Sequence, residues 1–109
     1  LVLGSSGGAR TISTLANIII AVTVFEMPLQ QAIDAPRFFY EDGKVQMETR
    51  IESVTIEYLK QLGHEVHLRT DYNGYFGIAQ GIKIDSRTGE LTGAADPRGE
   101  GIADRNQIN

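Results

Sequence analysis

The 109-residue chain is the size of one domain, with 41% hydrophobic and 22% charged residues, as in ordinary globular proteins. A net charge of -4 and a pI near 5.0 argue against a general nucleic-acid binder, which would show a basic face. The absence of cysteine rules out a disulfide framework and a thiolate metal site, and leaves the redox compartment unread.

Leu1-Val2-Leu3 reads as a short apolar strand. Gly4-Ser5-Ser6-Gly7-Gly8 is a glycine-rich bend, and a long helix begins near Thr11. A helix start leaves backbone N–H groups without intrahelical partners and is locally positive. Adjacent glycines let a ligand approach the main chain closely. The combination suits an anion or a developing oxyanion, and glycines serving only a tight turn are the plainer alternative. The chain opens inside an apolar strand with no polar lead-in, which reads as the C-terminal piece of a longer protein. Any leader or anchor is then expected upstream.

Thr11 to Phe25 is apolar on nearly every side, so burial in a larger body is expected. Its β-branched residues leave a strand near Ile18–Val22 open. Met27-Pro28-Leu29 suits a helix start, and Pro36 ends that helix. Phe38, Phe39 and Tyr40 are expected to pack a turn, before a strand over Lys44–Glu48. A helix is predicted from about Glu52 to Leu62, with Ser53 as N-cap, and Val54, Ile56, Tyr58, Leu59 and Leu62 as its apolar face. Gly63 suits a left-handed cap. Strands follow over His64–Thr70 and, after an Asn73-Gly74 turn, over Tyr75–Asp85. A tight turn at Asp85–Gly89 leads into Glu90–Ala94. The tail from Ala95 is glycine-rich and polar, and no internal domain boundary is visible.

Several candidate sites fail on spacing. A phosphate loop needs glycine, lysine and Ser/Thr where Ala9, Arg10 and Thr11 stand. His64 and His67 would point to opposite faces of a strand, so they do not converge on a metal. Ser5, Ser6 and Thr11 have no base paired with them in sequence and are expected to orient the bend or cap the helix. Asp34 with Arg37, and Asp96 with Arg98, read as local ion pairs.

Four blocks, in order, resemble the C-terminal part of γ-glutamyltranspeptidases: Gly4-Ser5-Ser6-Gly7-Gly8-Ala9-Arg10-Thr11, Ala32-Ile33-Asp34-Ala35-Pro36-Arg37-Phe38, Gly63-His64 and Gly93-Ala94-Ala95-Asp96-Pro97-Arg98. The resemblance covers nearly the whole chain. It implies an α+β N-terminal-nucleophile hydrolase fold, an αββα sandwich of two antiparallel sheets between helix layers. Residues 1–109 would be the C-terminal portion of one catalytic domain. It also implies a self-cleaving precursor whose new N-terminal threonine attacks a γ-glutamyl amide such as glutathione. Transfer of the acyl group to water or to an amino-acid or peptide acceptor would follow. The partners implied are the upstream large-subunit segment and the N-terminal small-subunit segment of the same precursor. No metal or other cofactor is implied, and the compartment would be secreted, periplasmic or outward-facing and membrane-anchored.

In this resemblance Gly7 and Gly8 supply a backbone oxyanion hole, and Gly8→Pro should impair turnover by removing an N–H. Ser6 stands where many relatives carry proline, so a less rigid bend is expected. Histidines associated with some relatives are missing around Phe39-Tyr40. No block matches the nucleophile or the donor-gripping residues, so the chain alone is expected to be inactive. A cephalosporin-type acylase, a poly-γ-glutamate transpeptidase and a non-catalytic domain retaining the fold are the alternatives.

Overall fold

Two three-stranded sheets and three helices make up the computed structural model, which describes residues 1–104. Residues 105–109, the end of the polar tail, lie outside the described residues. In the first sheet β1 (Val2–Ser5), β5 (Ala79–Ile84) and β6 (Leu91–Ala95) run antiparallel in the order β1-β5-β6. In the second, β2 (Phe38–Glu41) and β3 (Lys44–Glu48) form an antiparallel hairpin. β4 (Glu65–Arg69) lies parallel to β3, and α3 (Ser53–Gln61) is the crossover that a parallel pair requires.

α1 (Thr11–Thr23) and α2 (Leu29–Asp34) pack on the first sheet. Their Ile18, Val22, Leu29, Ala32 and Ile33 form one core with Ala79 and Ala94. Small side chains on the strands let the helices approach closely. A second core joins Val45 and Met47 of β3 to Ile56 of α3.

The Thr11–Phe25 run is helical through Thr23, and the strand alternative is not adopted. It is not buried all round. Thr14, Ile18 and Val22, one stripe at four-residue spacing, face the core. Ile12 is 80% exposed and Phe25 70%. Among the described residues no helix is long and apolar enough to cross a membrane.

Three further expectations are corrected. Phe38–Glu41 is a strand rather than a packed turn, with Phe38 and Tyr40 exposed and paired to Met47 and Val45. Ser53 begins α3 but makes no side-chain cap, and of the expected apolar face only Ile56 is buried, with Leu59 half-buried. The strand expected from Tyr75 begins only at Ala79, because residues 74–76 form a 3₁₀ turn in which Tyr75 N donates to Asn73 Oδ1.

Val2, Ile82, Ile84 and Leu91 on the first sheet are exposed, as are Ile12, Ile19, Ile20, Val24 and Phe25 in and after α1. Apolar surface on this scale drives association. The 109-residue chain expressed alone is expected to sediment as oligomers or aggregate, and a monodisperse monomer would contradict this.

Candidate functional site

The bend between β1 and α1 is built on positive backbone angles. Gly7 has φ 125° and Gly8 φ 57°, values that residues with a Cβ rarely adopt. Residues 8–10 form a 3₁₀ turn that runs into α1. Gly7 O accepts from Arg10 N, and Gly8 O accepts from Thr11 N. No backbone acceptor among the described residues takes the Gly7 or Gly8 N–H. Both donors stand at the positive end of a helical segment. Proline is confined near φ −65°, so Gly8→Pro would break the left-handed turn as well as remove the donor.

The bend is braced by a segment that the sequence reading did not single out. The β1–β5 register, ending at Ser5 opposite Ala79, continues to place Ser6 opposite Ile78 and Gly7 opposite Gly77. Ser6 N donates to Ile78 O at 3.2 Å, and Ile78 N donates to Ser6 Oγ at 3.1 Å. Ser6, standing where many relatives were expected to carry proline, thus ties the bend to Ile78 at two points. Ser5 Oγ donates to Ser6 O at 2.7 Å. Gly77 has φ 88°, and a Cβ there would lie 2.3 Å from Ser6 O and 2.7 Å from Ser5 Oγ. A Cβ on Gly7 would in turn lie 3.1 Å from Gly77 Cα.

Behind Gly77 lies a buried ionic network. Arg37, 4% exposed, donates from Nη1 to Gly77 O at 3.0 Å and from Nη2 to Ile33 O at 3.0 Å. Its Nη2 lies 2.8 Å from Asp96 Oδ2. Asp96 also accepts from Ala79 N, Arg98 N and Arg98 Nη1. Arg98 forks onto both oxygens of the fully buried Glu48 at 2.5 and 3.0 Å, the bidentate geometry that suits a guanidinium. Arg98 and Arg50 donate to the last carbonyls of α2, at Ile33, Asp34 and Ala35. Cations at that end complement the helix dipole.

Burial pushes the Asp96 carboxyl up, but the Ala79 and Arg98 amides and the Arg37 guanidinium outweigh it and hold Asp96 below the usual carboxylate range. Burial and the neighbouring Arg98 charge lower Arg37, against Asp96 and Glu48. Burial opposes the charge on Arg98 as well, but Glu48 and Asp96 outweigh it and raise the group.

The expected Asp34–Arg37 pair is replaced by Arg37–Asp96, while Asp34 Oδ1 takes a hydrogen bond from Gln30. The Asp96–Arg98 pair is present at 2.9 Å and belongs to the larger network. The available signal was confined to Arg37, which lies between Pro36 and an aromatic run, where a charge needs a partner; Arg98 stands in the polar tail and carried no such mark. His64 and His67 are exposed. Among the described residues no cluster of three His, Asp or Glu side chains could hold a metal. Tyr75 was also missed. Its ring lies between the Arg10 and Arg69 guanidiniums, 3.9 and 3.6 Å from their central carbons, and its hydroxyl donates to Glu41.

Comparison with known proteins is consistent across sequence and structure. The family model described as gamma-glutamyltranspeptidase matches residues 1–105. The chain is 37% identical over 109 residues to the glutathione hydrolase-like YwrD proenzyme of Bacillus subtilis, covering 94% of this chain and 21% of that protein. It is 31% identical to the oxamate amidohydrolase proenzyme of Klebsiella pneumoniae, covering 94% of this chain and 20% of that one. The chain thus spans about a fifth of the length of these relatives. The Bacillus anthracis transpeptidase CapD superposes with a TM-score of 0.82 at 30% identity, over 95% of this chain and 62% of that one. Cephalosporin acylase from Bacillus halodurans superposes with a TM-score of 0.83 at 30% identity, over 88% of this chain and 18% of that one. The two sheets and their helices are therefore part of an α+β N-terminal-nucleophile hydrolase fold, and the chain belongs to the γ-glutamyltranspeptidase family.

Proposed function

We propose that residues 1–109 are the C-terminal portion of a catalytic domain that cleaves γ-glutamyl amides, glutathione among them, through a threonine acyl-enzyme. The nucleophile and the groups that grip the donor come from upstream segments of the same precursor. Threonine attack on the γ-carbonyl transfers its hydroxyl proton to a base, for which its own α-amino group serves. The carbonyl oxygen becomes an oxyanion, and Gly7 N–H and Gly8 N–H receive it. Collapse expels the amine, which takes up the proton. Water or an amino-acid or peptide acceptor then attacks the ester and frees the threonine. In this reading the chain alone is inactive.

The observation that carries the proposal is the pair of glycine amides, outside the described backbone hydrogen bonds, at the head of α1 in a member of this family. Pre-set donors of this kind stabilise charge without reorganising during the reaction. The test is to incubate the full-length gene product until self-cleavage is complete, then measure release from a γ-glutamyl anilide with and without glycylglycine. Release stimulated by the dipeptide supports a transpeptidase. Cleavage into two chains without γ-glutamyl release supports a sister amidohydrolase, a second reading favoured by the similarity to proteins named oxamate amidohydrolase and cephalosporin acylase. Neither cleavage nor release would leave a non-catalytic domain of the same fold.

A further inference from the structure

The β1–β5 ladder ends in an unusual rung. In a continuing antiparallel ladder Ile78 N–H would donate to a main-chain carbonyl. Here it donates to Ser6 Oγ, while Ser6 N–H donates to Ile78 O. The side-chain oxygen stands in for the carbonyl, which frees Ser6 O to turn toward Ser5 Oγ and Gly77. The backbone then departs from strand geometry at Gly7. One residue along, Gly7 and Gly77 face each other with no room for a Cβ on Gly77. The 76–78 segment is itself held from behind: Thr14 Oγ1 donates to Phe76 O at 2.7 Å, and Arg37 Nη1 to Gly77 O at 3.0 Å. Thr14 and Arg37 are both buried.

We propose that Ser6 and Gly77 are positioning residues for turnover. The Phe76–Ile78 segment is the mould that aims the Gly7 and Gly8 N–H groups, and Ser6 Oγ is the latch that presses the bend onto it. This rests on the oxyanion reading of Gly7 and Gly8. Neither residue is assigned a contact with substrate. They act by keeping two donors aligned, and their loss is felt in the transition state more than in donor binding.

The test uses the full-length, self-cleaved protein with Ser6→Ala, Ser6→Thr and Gly77→Ala. Ser6→Ala is expected to lower kcat about tenfold, part of what losing a whole donor costs, with donor KM and thermal midpoint unchanged. Ser6→Thr, which keeps the hydroxyl, recovers most of the loss. Affinity for the boronic acid in which boron replaces the γ-carbonyl carbon of the donor falls by the same factor as kcat. Gly77→Ala lowers kcat further. Wild-type kcat and boronate affinity in Ser6→Ala would overturn the proposal, as would a loss tracked by the thermal midpoint and not recovered by threonine. A Gly8 backbone ester separates the two layers of argument. If that ester cripples turnover and Ser6→Ala does not, the mould alone is wrong. If the ester leaves turnover intact, the oxyanion reading falls and the mould with it.

Discussion

Asp96→Asn in the full-length protein is expected to cost about 3–5 kcal/mol of local stability, the usual cost of removing one partner from a buried ion pair. Asp96 is 2% exposed. Its two oxygens accept from Ala79 N, Arg98 N and Arg98 Nη1, and pair with Arg37 Nη2. An asparagine amide turns one of those acceptors into a donor and leaves Arg37 and Arg98 facing each other with less compensation. The measurement is hydrogen exchange at the start of β5, where Ala79 N–H is one of the bonded groups. Protection there should fall by roughly two to four powers of ten, and wild-type protection would contradict the prediction. The pH dependence has a definite sign. The native Asp96 pKa is depressed, so its contribution is complete above the unfolded-state carboxylate range and is lost as pH falls through the lower native value. Wild type should lose β5 protection on that descent, whereas the asparagine variant lacks this component.

The second large effect is at Gly8. Replacing its amide by an ester, with glycolate at position 8, removes the N–H and leaves side-chain packing untouched. Because a Cβ at Gly8 would meet nothing within 4 Å, Gly8→Ala serves as a control that keeps the donor and strains only φ. The ester is expected to lower kcat and kcat/KM together, on the order of 10²–10³, as loss of one oxyanion donor does. The alanine variant should lose much less. Equal, severe losses in both would mean that backbone shape, and not the N–H, accounts for the effect.

Local chemistry was well written in the chain. The 85–89 turn forms as read, with Asp85 Oδ1 accepting from Arg87 N and Thr88 N, and Gly63 follows α3 with a positive φ. Alternation in Lys44–Glu48 and Glu65–Arg69 marked β3 and β4. β2 was obscured because its aromatic run lacks the polar alternation of a half-buried strand, and its exposed side carries Phe38 and Tyr40. Partner choice was less legible still. Arg37 could be paired in sequence only with nearby Asp34, whereas its partner Asp96 arrives through the β5–β6 hairpin. Gly77 carried no motif, and its importance lies in a tertiary approach to Ser6. The Gly7-Gly8 bend was visible, but what braces it was not.

The ionic network also has a timetable. Arg37 and Glu48 are synthesised before α3, β4, β5 and β6, while Asp96 and Arg98 follow all of them. During synthesis on the ribosome Arg37 therefore waits for Asp96, and Glu48 has Arg50 beside it but not yet the forked Arg98; incompletely paired charges favour hydration over burial. Only when the last strand has emerged can Arg37 be neutralised and drawn in beneath Gly77. The support for the glycine bend is thus among the last parts of this chain to be completed, which makes a product truncated before Asp96 a poor host for a correctly shaped bend.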